Sequence, residues 1–82
     1  MKIRVKDEVK EIVGNKIAFD DCHKIYIIED EEDEEQARSY DYDIYDISML
    51  EEIWNKSCGL RFISNWKLDK RYVNQFEEVE FL

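Results

Sequence analysis

The sequence predicts an α+β fold in a single domain spanning residues 1–82, with an antiparallel β-sheet packed by one or two short helices. Apolar and polar residues alternate over several short segments, which is typical of half-buried strands. One later segment, 49–58, instead repeats its apolar residues at helical spacing. Charged residues make up 40% of the chain, but the 13% aromatic share favours a folded core over disorder.

The chain begins with two candidate strands. In Lys2–Lys6 the apolar residues Ile3 and Val5 alternate with basic ones, which predicts a half-buried strand. The next segment, Asp7–Val13, fits either a strand or a short helix. We favour a strand that ends in a tight hairpin at Gly14-Asn15, where positive φ angles are easily adopted.

Two more strands are predicted before the acidic part of the chain. Lys16–Asp20 places Ile17 and Phe19 inward. A turn is expected at Asp20–His23, because aspartate side chains bond to their own backbone there. Lys24–Ile28 is apolar on both faces and rich in β-branched residues, so it is predicted to be a central strand.

The excess negative charge lies between Glu29 and Asp46. This segment holds ten acidic residues and a single basic one, Arg38, so its charge of minus nine equals that of the whole chain. Its first part, Glu29–Glu35, is predicted to be an exposed connection, because like charges repel and these residues have poor β propensity.

Strict alternation resumes at Ser39–Ile44 and predicts another strand. Its apolar face would hold two tyrosines and an isoleucine. Its open face would hold Asp41 and Asp43, because successive strand residues point to opposite sides. The acidic run would therefore join two strands, the second of which carries carboxylates toward the solvent.

The clearest helix is predicted at about Met49–Cys58. Ser48 and Glu51 have the spacing of a capping box, in which each side chain bonds to the other residue's backbone N–H. Apolar residues then recur at helical spacing, and Gly59 supplies the C-terminal stop.

Three segments complete the chain. Leu60–Trp66 predicts a strand with Leu60, Phe62 and Trp66 on one face. Between Lys67 and Phe76 the pattern fits either a short helix or a turn into a strand. Glu77–Leu82 alternates again and predicts an edge strand, whose glutamates would discourage pairing between sheets of different molecules.

The sequence predicts neither catalysis nor a cofactor. His23 is the only histidine, and its neighbour Cys22 would point to the opposite side of an extended chain. Zinc requires four ligands, whereas these two residues and Cys58 give at most three, without CxxC spacing. The acidic run also lacks the D-x-[DN]-x-[DN]-G pattern of a calcium loop. We therefore expect a protein that is not an enzyme and binds no metal.

Charge and hydropathy narrow the expected location and partners. No apolar run approaches the roughly 20 residues of a membrane span. The N-terminus lacks the apolar stretch of a signal peptide. A cytoplasmic protein is therefore expected. A net charge of minus nine repels both nucleic acid and anionic lipid, so neither is expected to bind directly.

The acidic segment suggests mimicry of a nucleic-acid backbone. Residues on one face of a strand recur every ~6.6–6.8 Å, a spacing similar to that of neighbouring phosphates along one DNA strand. Such a surface would bind the basic groove of a nucleic-acid-binding protein, for instance a nuclease effector. The residues expected to contact this partner are Glu31, Glu32, Asp33, Glu34, Glu35, Tyr40, Asp41, Asp43, Tyr45 and Asp46.

Two interpretations stay open for this segment. Its tyrosines can pack in the core or, where they are exposed, stack on arginine and anchor a contact. The acids themselves can serve only to keep the protein soluble. In that case the chain would be a small interaction module whose contact lies on Trp54, Trp66 or the last strand.

In size, acidity and aromatic content, the chain resembles small inhibitors that bacteriophages and mobile elements use against host defences. Anti-CRISPR and anti-restriction DNA mimics are the nearest group, and bacteriocin immunity proteins share the profile. The resemblance is one of composition and covers no aligned motif, so it transfers no functional residue. It implies a non-enzymatic inhibitor that acts in the cytoplasm of the host cell.

Overall fold

A computed structural model of the protein describes residues 1–20, 24–56, 61–67 and 70–82. Within these ranges the chain forms two β-sheets and two short helices, which confirms the predicted α+β class. The strands are β1 (Lys2–Val5), β2 (Glu8–Glu11), β3 (Lys16–Phe19), β4 (Lys24–Ile28), β5 (Asp43–Asp46), β6 (Phe62–Asn65), β7 (Lys70–Val73) and β8 (Val79–Phe81). The helices are α1 (Glu31–Ser39) and α2 (Leu50–Lys56), and α2 follows a 3-10 turn at Ile47–Met49.

The first sheet has the strand order β2-β1-β8, and both of its pairs are antiparallel. Ile3 and Val5 are buried and their neighbours are exposed, so the predicted alternation of β1 is confirmed. β2 confirms the strand interpretation of its segment. β8 lies at the edge of the sheet, as predicted, with Glu80 exposed and paired to Arg4 at 2.7 Å.

The hairpin predicted at Gly14-Asn15 is wrong. β2 pairs with β1 rather than with β3, so the chain crosses from one sheet to the other at this point. Gly14 has φ +153°, and a Cβ there would lie 2.7 Å from the Ile27 side chain and 2.8 Å from the Ile28 carbonyl oxygen. The glycine is therefore required by a close backbone approach, not by a two-residue turn.

The second sheet has the order β5-β3-β4-β6-β7. β4 lies in the middle, as its apolar faces predict. Its pairing with β6 is parallel, whereas the other pairs are antiparallel, so the sheet is mixed rather than wholly antiparallel. The 33 residues between Ile28 and Phe62 provide the long crossover that a parallel pair needs. β7 confirms the strand alternative for its segment.

The two faces of the five-stranded sheet are covered differently. One, here called the aliphatic face, packs against the three-stranded sheet and α2. Its core residues are Ile3, Val5, Ile12, Ile17, Ile25, Ile27, Leu50, Trp54, Ile63 and Val73. The other, here called the α1 face, is covered by α1. Its buried residues are Ala18, Ile28 and Ala37, with Tyr26, Tyr42, Ile44 and Trp66 partly buried beside them.

The start of α2 differs from its prediction. Asp46, not Ser48, is the N-cap of the 3-10 turn, and its Oδ1 accepts a hydrogen bond from the Ser48 N–H at 3.0 Å. The capping box is therefore wrong, because Ser48 already lies inside the turn and helix α2 begins at Leu50. The predicted helix end at Cys58-Gly59 lies outside the described residues.

Other parts of the predictions also lie outside the described residues. These are most of the turn at Asp20–His23, which includes Cys22, and the start of the strand predicted at Leu60–Trp66. Asp20 itself is described, and its Oδ1 accepts from the Lys24 N–H at 2.9 Å. This bond is of the kind on which the turn prediction rests.

Candidate partner-binding surface

The acidic run is a helix, so its prediction as an exposed connection is wrong. Asp30 is the N-cap of α1, and its Oδ1 accepts from the Asp33 N–H at 3.0 Å. Asp33 in turn accepts from the Glu29 N–H at 3.2 Å. These two bonds satisfy the backbone N–H of Asp33 in the first turn and that of Glu29 just before the N-cap. Acids in the first turn also interact favourably with the helix dipole, which offsets part of their mutual repulsion.

Basic side chains neutralise part of this helix. Lys16 reaches Glu34 at 2.5 Å, and Arg38 reaches the same carboxylate at 3.2 Å. Lys67 pairs with Asp30. The bond from Lys16 lowers the pKa of Glu34, and the bond from Lys67 lowers the pKa of Asp30. The Asp30 contact also raises the pKa of Lys67. These carboxylates are therefore held by the fold of the chain.

The predicted contact residues divide into two groups. Asp33 is buried, Glu34 is half-buried in its ion pairs, and Asp46 caps the 3-10 turn. Asp46 is exposed too, although its carboxylate is bound in that cap, and the other exposed acids are Glu31, Glu32, Glu35, Asp41 and Asp43. These five are here called the open carboxylates. Within the described ranges, only Glu32 among them interacts with a basic residue, at long range with Lys67.

The two aspartates after α1 do not share a strand. Asp41 lies in a turn with φ 57°, and its N–H donates to the Arg38 carbonyl oxygen at 3.0 Å. β5 begins only at Asp43. The strand predicted at Ser39–Ile44 is therefore wrong at its start. Ser39 is the last residue of α1, Tyr40 is its C-cap and Asp41 lies in the turn that follows. Aspartate tolerates this left-handed conformation better than most residues.

Four aromatic rings from separate segments meet beside α1. Tyr26 lies 4.3 Å from Trp66, and Tyr40 lies 5.5 Å from Tyr42 and 6.2 Å from Trp66, measured between ring centroids. These four residues are here called the aromatic cluster. Tyr40 is 56% exposed and forms the open end of the cluster.

Tyr45 lies apart from the aromatic cluster. It is 39% exposed on the edge strand β5. Its neighbour Ile44 packs on the α1 face, so Tyr45 points to the opposite side of the sheet. Tyr42 is half-buried in the aromatic cluster. Of the three tyrosines in the acidic segment, Tyr40 is therefore the one that is exposed on the acidic surface.

Sequence reasoning missed two contributors to this surface, Tyr26 and Trp66. Each was placed on a strand, but their meeting depends on the parallel pairing of β4 with β6, which no local pattern shows.

Helix α1 itself had a local signal in the sequence. Asp30 and Asp33 have the i,i+3 spacing of an acidic capping box, and Glu34 and Arg38 have that of a helical ion pair.

No three of the described His, Cys, Asp or Glu residues come together as a metal site. No described helix has the length and apolarity to span a membrane. A cleft of about 580 Å³ lies between β1, β8 and α2, lined by side chains of both charges that include Arg4, Arg61 and Glu77.

Comparisons with protein-family models, with curated proteins and with solved structures found no match to this chain.

Proposed function

We propose that this protein is a non-enzymatic cytoplasmic inhibitor that binds the basic nucleic-acid groove of a host protein. One observation carries the proposal: the open carboxylates lie on an ordered helix, the turn that follows it and the start of β5, rather than on a flexible loop. An ordered array needs little further ordering when it binds, so more of its electrostatic attraction contributes to affinity.

The spacing of exposed glutamates on α1 supports mimicry of a nucleic-acid backbone by a helix rather than by the strand that the sequence predicted. Glu31 and Glu35 are exposed and lie one helical turn apart, a rise of about 6 Å. That spacing is again similar to the distance between neighbouring phosphates. Their partner must be basic, because the helix repels other anions. Binding must weaken as salt increases, as contacts with a phosphate backbone do.

The experiment compares two variants that lose the same charge. In the α1-neutral variant, Glu31→Gln, Glu32→Gln and Glu35→Gln remove three open carboxylates. In the matched control, Glu8→Gln, Glu11→Gln and Glu78→Gln remove three exposed acids, two on β2 and one directly before β8. Each immobilised protein is exposed to host lysate at low salt and then washed with duplex DNA.

We expect wild type and the matched control to retain a basic protein that duplex DNA then releases. The α1-neutral variant should not retain it. If the α1-neutral variant retains the same proteins, or if DNA fails to release them, the mimicry proposal is wrong. Equal loss in both variants would indicate that net charge, not this surface, governs binding.

A second function is favoured by a specific observation. Several acids of the segment bond within the fold, which is expected if they serve folding and solubility. The chain would then be an interaction module that binds through Trp66 or the last strand. Trp54 is only 4% exposed and is not available for contact. A partner retained by the α1-neutral variant at high salt would support this function instead.

A further inference from the structure

We infer that the open end of the aromatic cluster, Tyr40 with Trp66, binds an arginine side chain of the basic partner. This inference rests on the proposed function and names the partner group that the surface recognises. Both rings belong to one surface although they lie 26 positions apart in the chain. Their planes are inclined by 19° with centroids 6.2 Å apart.

The cluster is held in place by the fold. Tyr26 on β4 and Tyr42 before β5 support the rings of Tyr40 and Trp66. The centroids of the Tyr26 and Tyr42 rings are 5.9 Å apart, and their planes are only 8° from parallel. The N–H groups of Tyr40 and Tyr42 both donate to the Ala37 carbonyl oxygen at the end of α1. A ring that is already fixed loses little conformational freedom when a partner stacks on it.

The same face of the sheet already stacks cations of its own chain. Lys24 Nζ lies 4.9 Å from the centre of the Tyr26 ring. The Arg71 guanidinium lies 4.8 Å from the centre of the Phe62 ring, next along the sheet. Among the described residues, no cation lies over Tyr40 or Trp66. A partner cation over Tyr40 and Trp66 would add a third cation–aromatic contact on this face.

Charge around Tyr40 favours a cation from that molecule. Tyr40 is the C-cap of α1, where the carbonyl groups at the helix end carry partial negative charge. Asp41 and Asp43 follow it and are exposed. Lys67, the basic residue next to Trp66, is paired with Asp30. A partner cation at Tyr40 therefore meets negative groups, whereas Lys24 of the same chain lies over Tyr26.

The geometry favours arginine over lysine. A guanidinium is planar, so it can stack on a ring and still donate hydrogen bonds in its own plane to nearby carboxylates. An ammonium group makes a point contact and is more strongly hydrated. The preference for arginine over lysine should therefore depend on the ring of Tyr40, whereas the affinity for either basic residue should depend on the open carboxylates.

The experiment uses nona-arginine and nona-lysine peptides, which carry equal charge, as probes in calorimetric titrations at one salt concentration. Wild type should bind nona-arginine more tightly. Tyr40→Leu should lower this preference about two- to fivefold, with little change for nona-lysine. Tyr40→Phe keeps a ring and should keep the preference. Tyr45→Leu, the matched control at an exposed tyrosine outside the cluster, should also keep it.

The possible results separate the inference from the proposed function. If the α1-neutral variant loses affinity for both peptides while Tyr40→Leu keeps the arginine preference, only the inference is wrong. If the α1-neutral variant binds both peptides with the affinity of wild type, the proposed function is wrong, and the inference that rests on it falls too. Wild-type binding that is absent, or equal for both peptides, also overturns the inference.

Discussion

The two faces of the five-stranded sheet use different chemistry to cover the same strands. On the aliphatic face, Ile17, Ile25, Ile27 and Ile63 are fully buried against a second sheet and a helix. On the α1 face, the buried hydrophobic residues of the cluster are two alanines and one isoleucine, and the aromatic rings beside them are partly exposed. The first face stabilises the domain, and the second leaves chemically distinctive side chains accessible.

The difference shows which face of so small a domain can carry residues that are not needed for the core. An 82-residue chain must keep much of its apolar surface for the core. Here the aliphatic face meets that need, so the α1 face can carry charge and aromatic rings at modest cost in stability. Mutations on the two faces should therefore separate stability from binding.

The largest expected effect is on the aliphatic face. Ile27→Ala should lower the free energy of unfolding by about 2–5 kcal/mol, because it leaves a cavity in a fully packed site. Ile44→Ala on the half-buried α1 face should lower it by less than about 2 kcal/mol. Urea denaturation at neutral pH measures both. Equal losses would show that the faces contribute alike and would break the comparison.

The second-largest effect is expected at Gly14, where the chain crosses from one sheet to the other. Gly14→Ala should lower the free energy of unfolding by about 1–3 kcal/mol, because φ +153° is strained for any residue with a Cβ. The added atom would also press on Ile27 and Ile28 of the central strand. Asn15→Ala, at the exposed neighbouring position, is the control and should cost much less in urea denaturation. A loss no larger than that of the control would contradict the close approach.

A smaller effect tests the caps of the two helical segments. Asp30→Ala should lower the free energy of unfolding by about 1 kcal/mol, because it removes the N-cap of α1. Ser48→Ala should change it by less than about 0.5 kcal/mol, because Asp46 supplies the cap there. Thermal denaturation followed by circular dichroism compares them. The opposite order would restore the capping box expected from the sequence.

The smallest effect is a pH dependence at the acidic helix. Hydrogen bonds lower the pKa of Asp30, Glu34 and Asp46, so the unfolded chain binds protons more readily at these groups. Their stabilisation is complete above the unfolded pKa of about 4 and is lost as pH falls through the lower folded values. The free energy of unfolding of wild type should therefore fall between pH 5 and pH 3.

One variant isolates the contribution of Asp30 in this pH range. Asp30→Asn should lose less stability than wild type between pH 5 and pH 3, because its titrating carboxylate is gone. Urea denaturation at each pH gives the two slopes, and identical slopes for both proteins would contradict the role assigned to Asp30.

The aliphatic face could largely be predicted from the sequence, and the α1 face could not. Ile25 to Ile28 indicate a central strand because they are apolar on both sides, and burial confirms it. In the acidic run, repulsion seemed decisive, whereas capping by Asp30 and the ion pair of Glu34 with Lys16 outweigh it. The cap has a local signal, but the Lys16 contact spans 18 positions and depends on the sheet.

The aromatic cluster shows the same limit more sharply. Alternation placed Tyr40 and Tyr42 together, and their rings do meet. They meet at the end of a helix rather than along a strand, and Trp66 joins them only because β6 lies parallel to β4. Local periodicity cannot distinguish these arrangements, since it gives no information about strand order.

Chemical-shift mapping on the ¹⁵N-labelled protein tests most directly whether the α1 face is the binding surface. Nona-arginine is titrated into the labelled protein, and shifts of backbone amides and tryptophan indoles are followed. We expect the largest changes from Glu31 to Asp43 and at the Trp66 indole. Changes confined to the three-stranded sheet and the cleft beside Arg61, with α1 unaffected, would contradict that assignment.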